Sequence, residues 1–184
     1  MGCSGITTNV TESEINLSIC KKLKKYLENQ GLRVVLTRTN DQGLYDDNVA
    51  NYKLSDMNNR LKIIKQSNAD LLISIHQNSF SDSSLKGAQV FYQEGDDKGA
   101  QFAHSMQEQL KSTLDYTRGN YNHSDLYILK ESGVLGILIE CGYLTNIEDE
   151  INLQNSEYQD KMAYAIMCGV MRYMLNTNNV ADVW

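Results

Sequence analysis

The chain has 184 residues, 41% of them hydrophobic and 22% charged, the balance of one folded domain large enough to close its own core. That argues against wholesale disorder and a mini-protein stapled by metal or disulfides, and a formal net charge of −6 leaves no general basic surface for duplex nucleic acid. The cysteines, Cys3, Cys20, Cys141 and Cys168, are scattered without C-x-x-C spacing, so free, buried thiols are expected. No apolar run reaches the ~20 residues that span a bilayer, and no basic flank followed by an apolar core opens the chain.

Thr11-Glu12-Ser13-Glu14 has the form of a capping box, and Ile15, Ile19, Leu23 and Leu27 follow at four-residue spacing. This predicts a helix ending at Gly31, with Lys21, Lys22, Lys24 and Lys25 on a solvated face. Arg33 to Thr37 is β-branched and predicts a short strand. The polar stretch from Arg38 to Leu54 is too long for a simple connection and is expected to be a functional loop. Ser55 is then expected to cap a helix running to about Ser67.

Leu71 to Ile75 is apolar without alternation, the pattern of a strand covered on both faces, and Leu135 to Ile139 repeats it. Between them the sequence predicts a strand over Lys86 to Gln93, a helix over Asp96 to Leu114, a polar loop over Asp115 to Asp125 and a short strand over Leu126 to Lys130. Ser156 to Leu175 closes the chain as an amphipathic helix. The alternation predicts a single α/β domain, residues 1–184, with a mostly parallel twisted sheet flanked by helices on both faces.

Two buried-type strands run directly into ionisable residues, Ile75 into His76 and Ile139 into Glu140. Ligands of open α/β sheets sit outside the carboxyl ends of the strands, so parallel pairing would bring both side chains to one site. Singly, His76 reads as a satisfied strand-end histidine and Glu140 as half of an ion pair. Glu12, in the first turn of its helix, complements the helix dipole. Together the three supply an imidazole, a carboxylate ligand and a spare carboxylate, most of a catalytic zinc site. His104 and His123 lack ligand spacing and are expected at the surface. A serine triad lacks its G-x-S-x-G elbow.

Glu12-Ser13-Glu14-Ile15-Asn16-Leu17, Leu36-Thr37-Arg38, Asn58-Asn59-Arg60-Leu61, Ser74-Ile75-His76-Gln77-Asn78 and Ile139-Glu140-Cys141-Gly142-Tyr143-Leu144-Thr145-Asn146 occur in that order. The set resembles the zinc-dependent N-acetylmuramoyl-L-alanine amidases of bacterial cell-wall metabolism, from Gly2 to Tyr173. Lys86 to Tyr92, Tyr127-Ile128-Leu129 and Tyr158 to Lys161 are most similar to the sporulation and germination branch, which prepares spore-cortex peptidoglycan for muramic-δ-lactam formation. The resemblance implies zinc as cofactor with Glu12 and His76 as ligands, Glu140 as the catalytic carboxylate, and hydrolysis of the amide between N-acetylmuramic acid and L-alanine. Asn78, Arg118 and Tyr121 are the candidate substrate-binding residues, and Asn78 and Arg38 are read as supports for loops or substrate, with a structural role favoured.

Family members also begin with a strand running into a G-H-G-G motif whose His is a third zinc ligand. Met1 falls just after that point, so the resemblance implies a sheet lacking the family's first strand. It further implies export to the cell wall or spore-cortex space, peptidoglycan as the partner, and a partner protein in spore formation. The alternative is a non-catalytic wall-binding or partner-binding module that has lost its metal.

Overall fold

Thr11 is the N-cap of α1 (Glu12–Asn29), its side chain accepting from Glu14 N while the Glu14 carboxylate reaches back to Thr11 N. The computed structural model describes residues 2–114, 117–119, 121–123 and 126–181, the side chains of 121–123 and 178–181 excepted. After α1 come α2 (Tyr52–Ser67), β1 (Leu71–Asn78), β2 (Gln89–Gln93), α3 (Asp97–Thr113), β3 (Tyr121–His123) and α4 (Tyr127–Ser132). The chain ends with β4 (Leu135–Tyr143), α5 (Ile147–Gln154) and α6 (Ser156–Ala181).

The sheet order is β1-β4-β2-β3. β1 pairs with β4 and β2 with β3 in parallel, while β2 meets β4 antiparallel. The expected α/β architecture is present, with a mixed sheet whose parallel half carries both apolar strands. Ile75, Val90, Ile137 and Ile139 face a layer of α1, α3 and α6 built on Ile15, Ile19, Phe102, Met106 and Ile166. Leu138 and Leu72 face α2 and α4, through Leu61, Ile64, Ile128 and Leu129. Gly136 lets this second layer approach closely, since a Cβ there would meet Leu129 Cδ2 at 2.9 Å and Leu72 Cβ at 3.0 Å.

Several local expectations are corrected. Arg33 to Thr37 forms no ladder: a strand exists only by pairing, and this stretch is instead tied down by Arg33 Nη2 donating to Ser67 O at 2.6 Å and Lys24 Nζ to Val34 O at 2.9 Å. Leu126 to Lys130 is not a strand; Leu126 caps the short helix α4, which Gly133 ends in a left-handed conformation. Helix α2 starts earlier than expected because Asn51, not Ser55, accepts the capping bond. Ser55 Oγ instead accepts from Asp46 N at 2.9 Å and donates to the Asp46 carboxylate. Helix α5, capped by Asn146, was not expected at all.

The polar loop before α2 is fastened at several points. Leu44 N donates to Asp56 Oδ1 and Asn59 Nδ2 to Leu44 O, each at 2.6 Å. Arg38 Nη2 donates to Ser13 O at 2.6 Å, which gives that guanidinium the loop-supporting role expected of it. The loop's Tyr45 packs edge-on against Tyr52, ring centres 5.0 Å apart. The cysteines are free, with Cys141 buried and the other three partly so.

Candidate active site

Because β1 and β4 are parallel and in register, His76 stands directly opposite Glu140 at the carboxyl edge of the sheet. Residues 75 and 139 point into the α1 layer, so alternation turns 76 and 140 to the other face. The apolar runs thus do two things: they anchor both strands, and they fix which way the ionisable residues emerge.

Glu12, 8% exposed, joins them from the first turn of α1. His76 Nδ1 lies 2.8 Å from Glu12 Oε1, which also accepts from Asn16 Nδ2 at 3.2 Å and Gln77 N at 3.3 Å. Glu12 Oε2 accepts from Cys3 N at 3.1 Å. Gly2 packs so tightly here that a Cβ would overlap Glu12 Oε2. Burial alone would push the Glu12 carboxyl up, but the hydrogen bond and charge of His76, with the Asn16 and Gln77 donors, outweigh it and bring it to about 2. For His76 burial works against the charged form, yet the Glu12 hydrogen bond and the Glu140 and Glu12 charges raise the imidazole above its ordinary value.

Glu140 is the odd member. Its Oε2 is buried and, among the described residues, has no hydrogen-bond partner. Burial pushes its carboxyl to about 7, the His76 charge pulling against that shift and the Glu12 charge adding to it. A carboxylate poised near neutrality, with one oxygen unspent, is suited to take up and return a proton.

An imidazole nitrogen and a carboxylate oxygen are donor types that zinc takes; here they lie 2.8 Å apart, hydrogen-bonded to each other. Among the described residues no group of three or more His, Cys, Asp or Glu assembles around a common point. Glu12 and His76 would therefore hold a metal with coordination positions to spare.

Of the expected substrate residues, Asn78 and the Arg118 backbone lie at this edge, and Tyr121 sits two positions further into the sheet. Asn78 ends β1 opposite Tyr143; its Oδ1 accepts from Ser79 N at 2.8 Å and its carbonyl from Leu144 N at 2.8 Å. Arg118 N donates to Ala88 O at 2.8 Å, one residue before Gln89, the partner of Glu140 across the sheet. The Arg118 charge also acts on the Tyr143 hydroxyl, opposing the upward push of burial. Tyr121 pairs with Phe91 through its backbone, and its side chain, like that of His123, lies outside the described residues. His104 is exposed on α3.

Sequence reasoning passed over the groups that hold Glu12: Cys3 N, Asn16 and Gln77. It also missed Glu150, fully buried in α5, whose carboxylate accepts from the backbone N and hydroxyl of both Thr7 and Thr8 at 2.7–3.2 Å. A Cβ on Gly5 would overlap Glu150 Oε1, so the turn ahead of Glu12 is seated on α5. The unusual density of threonine and glycine before the helix was the available sign.

The family model for N-acetylmuramoyl-L-alanine amidase matches residues 1–172. The germination-specific N-acetylmuramoyl-L-alanine amidase of Bacillus subtilis is 32% identical over 166 residues, covering 88% of this chain and 70% of that protein. The amidase LytC of the same organism is 30% identical over 172 residues, 91% of this chain and 32% of LytC. Among solved structures, the CwlD amidase of Clostridioides difficile in complex with the GerS lipoprotein superposes with a TM-score of 0.90 at 34% identity, covering 95% of this chain and 92% of that one. The catalytic domain of CwlV from Paenibacillus polymyxa gives 0.81 at 27% identity, over 94% and 90%. The chain belongs to the N-acetylmuramoyl-L-alanine amidase family, and its activity is that of a peptidoglycan amidase.

Proposed function

We propose that this amidase is zinc-dependent, with Glu12 and His76 as metal ligands and Glu140 as the proton carrier, and that it acts on spore-cortex peptidoglycan. The observation carrying this reading is the buried Oε2 of Glu140, without a partner among the described residues, directly across the ladder from His76. Bound zinc supplies Lewis acidity at the scissile carbonyl. Glu140 would take a proton from the attacking water as the C–O bond forms and return it to the amide nitrogen, after which the C–N bond breaks and the L-alanine amine leaves. Arg118 is suited to pair with a stem-peptide carboxylate.

The germination-specific relative and the CwlD neighbour support the spore-cortex branch, and we extend that reading to a role in muramic-lactam formation. Relatives named as probable cell wall amidases, 26% identical in Staphylococcus epidermidis, support action outside the cytoplasm. Among the described residues no helix is long and apolar enough to cross a membrane. A protein partner is supported by the GerS complex of the CwlD neighbour.

The test is digestion of spore-type peptidoglycan by the chain supplied with excess zinc, followed by mass spectrometry. Free peptides beginning with L-alanine, and bare muramic residues, are expected. Glu140→Gln should lose ~10² to 10⁴-fold in rate, the usual contribution of a positioned acid or base, without losing zinc. Cleavage within the stem peptide or between sugars overturns the reading.

A further inference from the structure

Gln77 is 3% exposed and follows Ile73 and Ile75 on the side of β1 that faces the apolar layer. A buried primary amide is costly unless it is hydrogen-bonded, so the partners of its side chain are informative: it acts on the buried Cys141 thiol, and among the described residues its Oε1 has no hydrogen-bond partner. Gln77 Nε2 donates to Asn16 Oδ1 at 3.0 Å. Asn16 in turn donates Nδ2 to Glu12 Oε1 at 3.2 Å. The two amides form a directed chain from the sheet, across the first turns of α1, to the oxygen that meets His76.

We propose that Gln77 and Asn16 are positioning residues, a two-amide relay that locks the Glu12 carboxylate toward His76. Asn16 alone has two flip states with opposite consequences. One presents N–H donors to Glu12; the other presents a carbonyl oxygen, which repels a carboxylate. The acceptor-only Glu12 carboxylate favours the first, and Gln77 reinforces it because its own N–H occupies the Asn16 oxygen. Glu12 Oε1 is thereby held by three N–H groups from three directions, Asn16 Nδ2, Gln77 N and His76 Nδ1, and Oε2 by Cys3 N. Neither amide touches the reacting atoms; both act through Glu12, so the inference rests on the reading of Glu12 and His76 as metal ligands.

The test compares the 184-residue chain with Asn16→Ala, Gln77→Met, the double variant and Glu12→Gln. Gln77→Met keeps length and packing but removes the donor. Two quantities are read: the zinc dissociation constant, by competition with a fluorescent chelator, and the His76 Nδ1 proton resonance of the metal-free chain at mildly acidic pH. Loss of such an outer hydrogen bond typically costs ~10 to 100-fold in metal affinity. Asn16→Ala and Gln77→Met should each weaken zinc by ~10-fold and broaden the His76 resonance, and the double variant should be no worse than Asn16→Ala. A purely packing role leaves Gln77→Met at parental values on both readouts and overturns the proposal, as does a double variant in which the two losses multiply. If Glu12→Gln leaves zinc affinity unchanged, the metal-ligand reading fails by itself. The relay then stands or falls on the His76 resonance, which must be lost in Glu12→Gln and weakened in the two amide variants.

Discussion

Glu140→Gln tests the electrostatics of the site in the metal-free chain without any assay of turnover. Folding raises the Glu140 carboxyl from its ordinary 4.5 to about 7, so between those values the folded state binds a proton that the unfolded state has released. Stability therefore falls as pH rises across that window. Each pKa unit is worth ~1.4 kcal/mol, which makes the full loss about 3 kcal/mol. In a chain of this length that corresponds to roughly 6–12 °C in melting temperature. Thermal melts in chelator at steps from pH 4 to 8 should show the parent falling steadily through this range. The Gln variant, which has nothing to titrate at that position, should keep most of its stability and overtake the parent near pH 8. Part of the parental slope belongs to His76, whose raised pKa means stability present below 6.5 and lost as pH passes above its folded value. Parent and variant curves that run parallel from pH 4 to 8 would refute the argument.

At the acid end, Glu12 is held down at about 2 against an ordinary 4.5, so the stability of its pairing is present above 4.5 and lost as pH falls toward 2. Glu12→Gln should flatten that acid limb in the same melts. Gly2→Ala places a methyl where Glu12 Oε2 lies; zinc affinity measured by chelator competition should fall by ~10-fold or more while the melting temperature changes little. Ile139→Ala empties a fully buried site between β4 and the α1 layer and should cost ~2–5 kcal/mol in denaturant unfolding.

His76 and Glu140 were legible because the features that place them are local to each strand. An unbroken apolar run declares a strand covered on both faces, and a charged residue at its end must emerge at the edge. Glu12 was joined to them by donor type, as the carboxylate a zinc site wants, and then by the family resemblance; no local pattern says that the start of α1 meets the end of β1. The errors have similar causes. Arg33 to Thr37 has strand composition, but pairing is a property of two segments and cannot be read from one. Leu126 to Lys130 is a short apolar run, for which periodicity does not separate helix from strand. Asn16 and Gln77 drew no notice because their roles depend on each other's amide orientation, information that exists only once α1 lies against β1. Helix α5 was readable in principle, with Asn146 as cap and Glu148, Asp149 and Glu150 in its first turn.

The seating of Thr7 and Thr8 on Glu150 spans more than 140 positions of sequence. During synthesis Thr7 and Thr8 leave the ribosome long before Glu150 does, and until α5 follows, their amides and hydroxyls lack the carboxylate that receives them in the fold. The seat of the turn ahead of Glu12 is therefore a contact that closes late, and a chain cut short before α5 carries Glu12 and His76 without it.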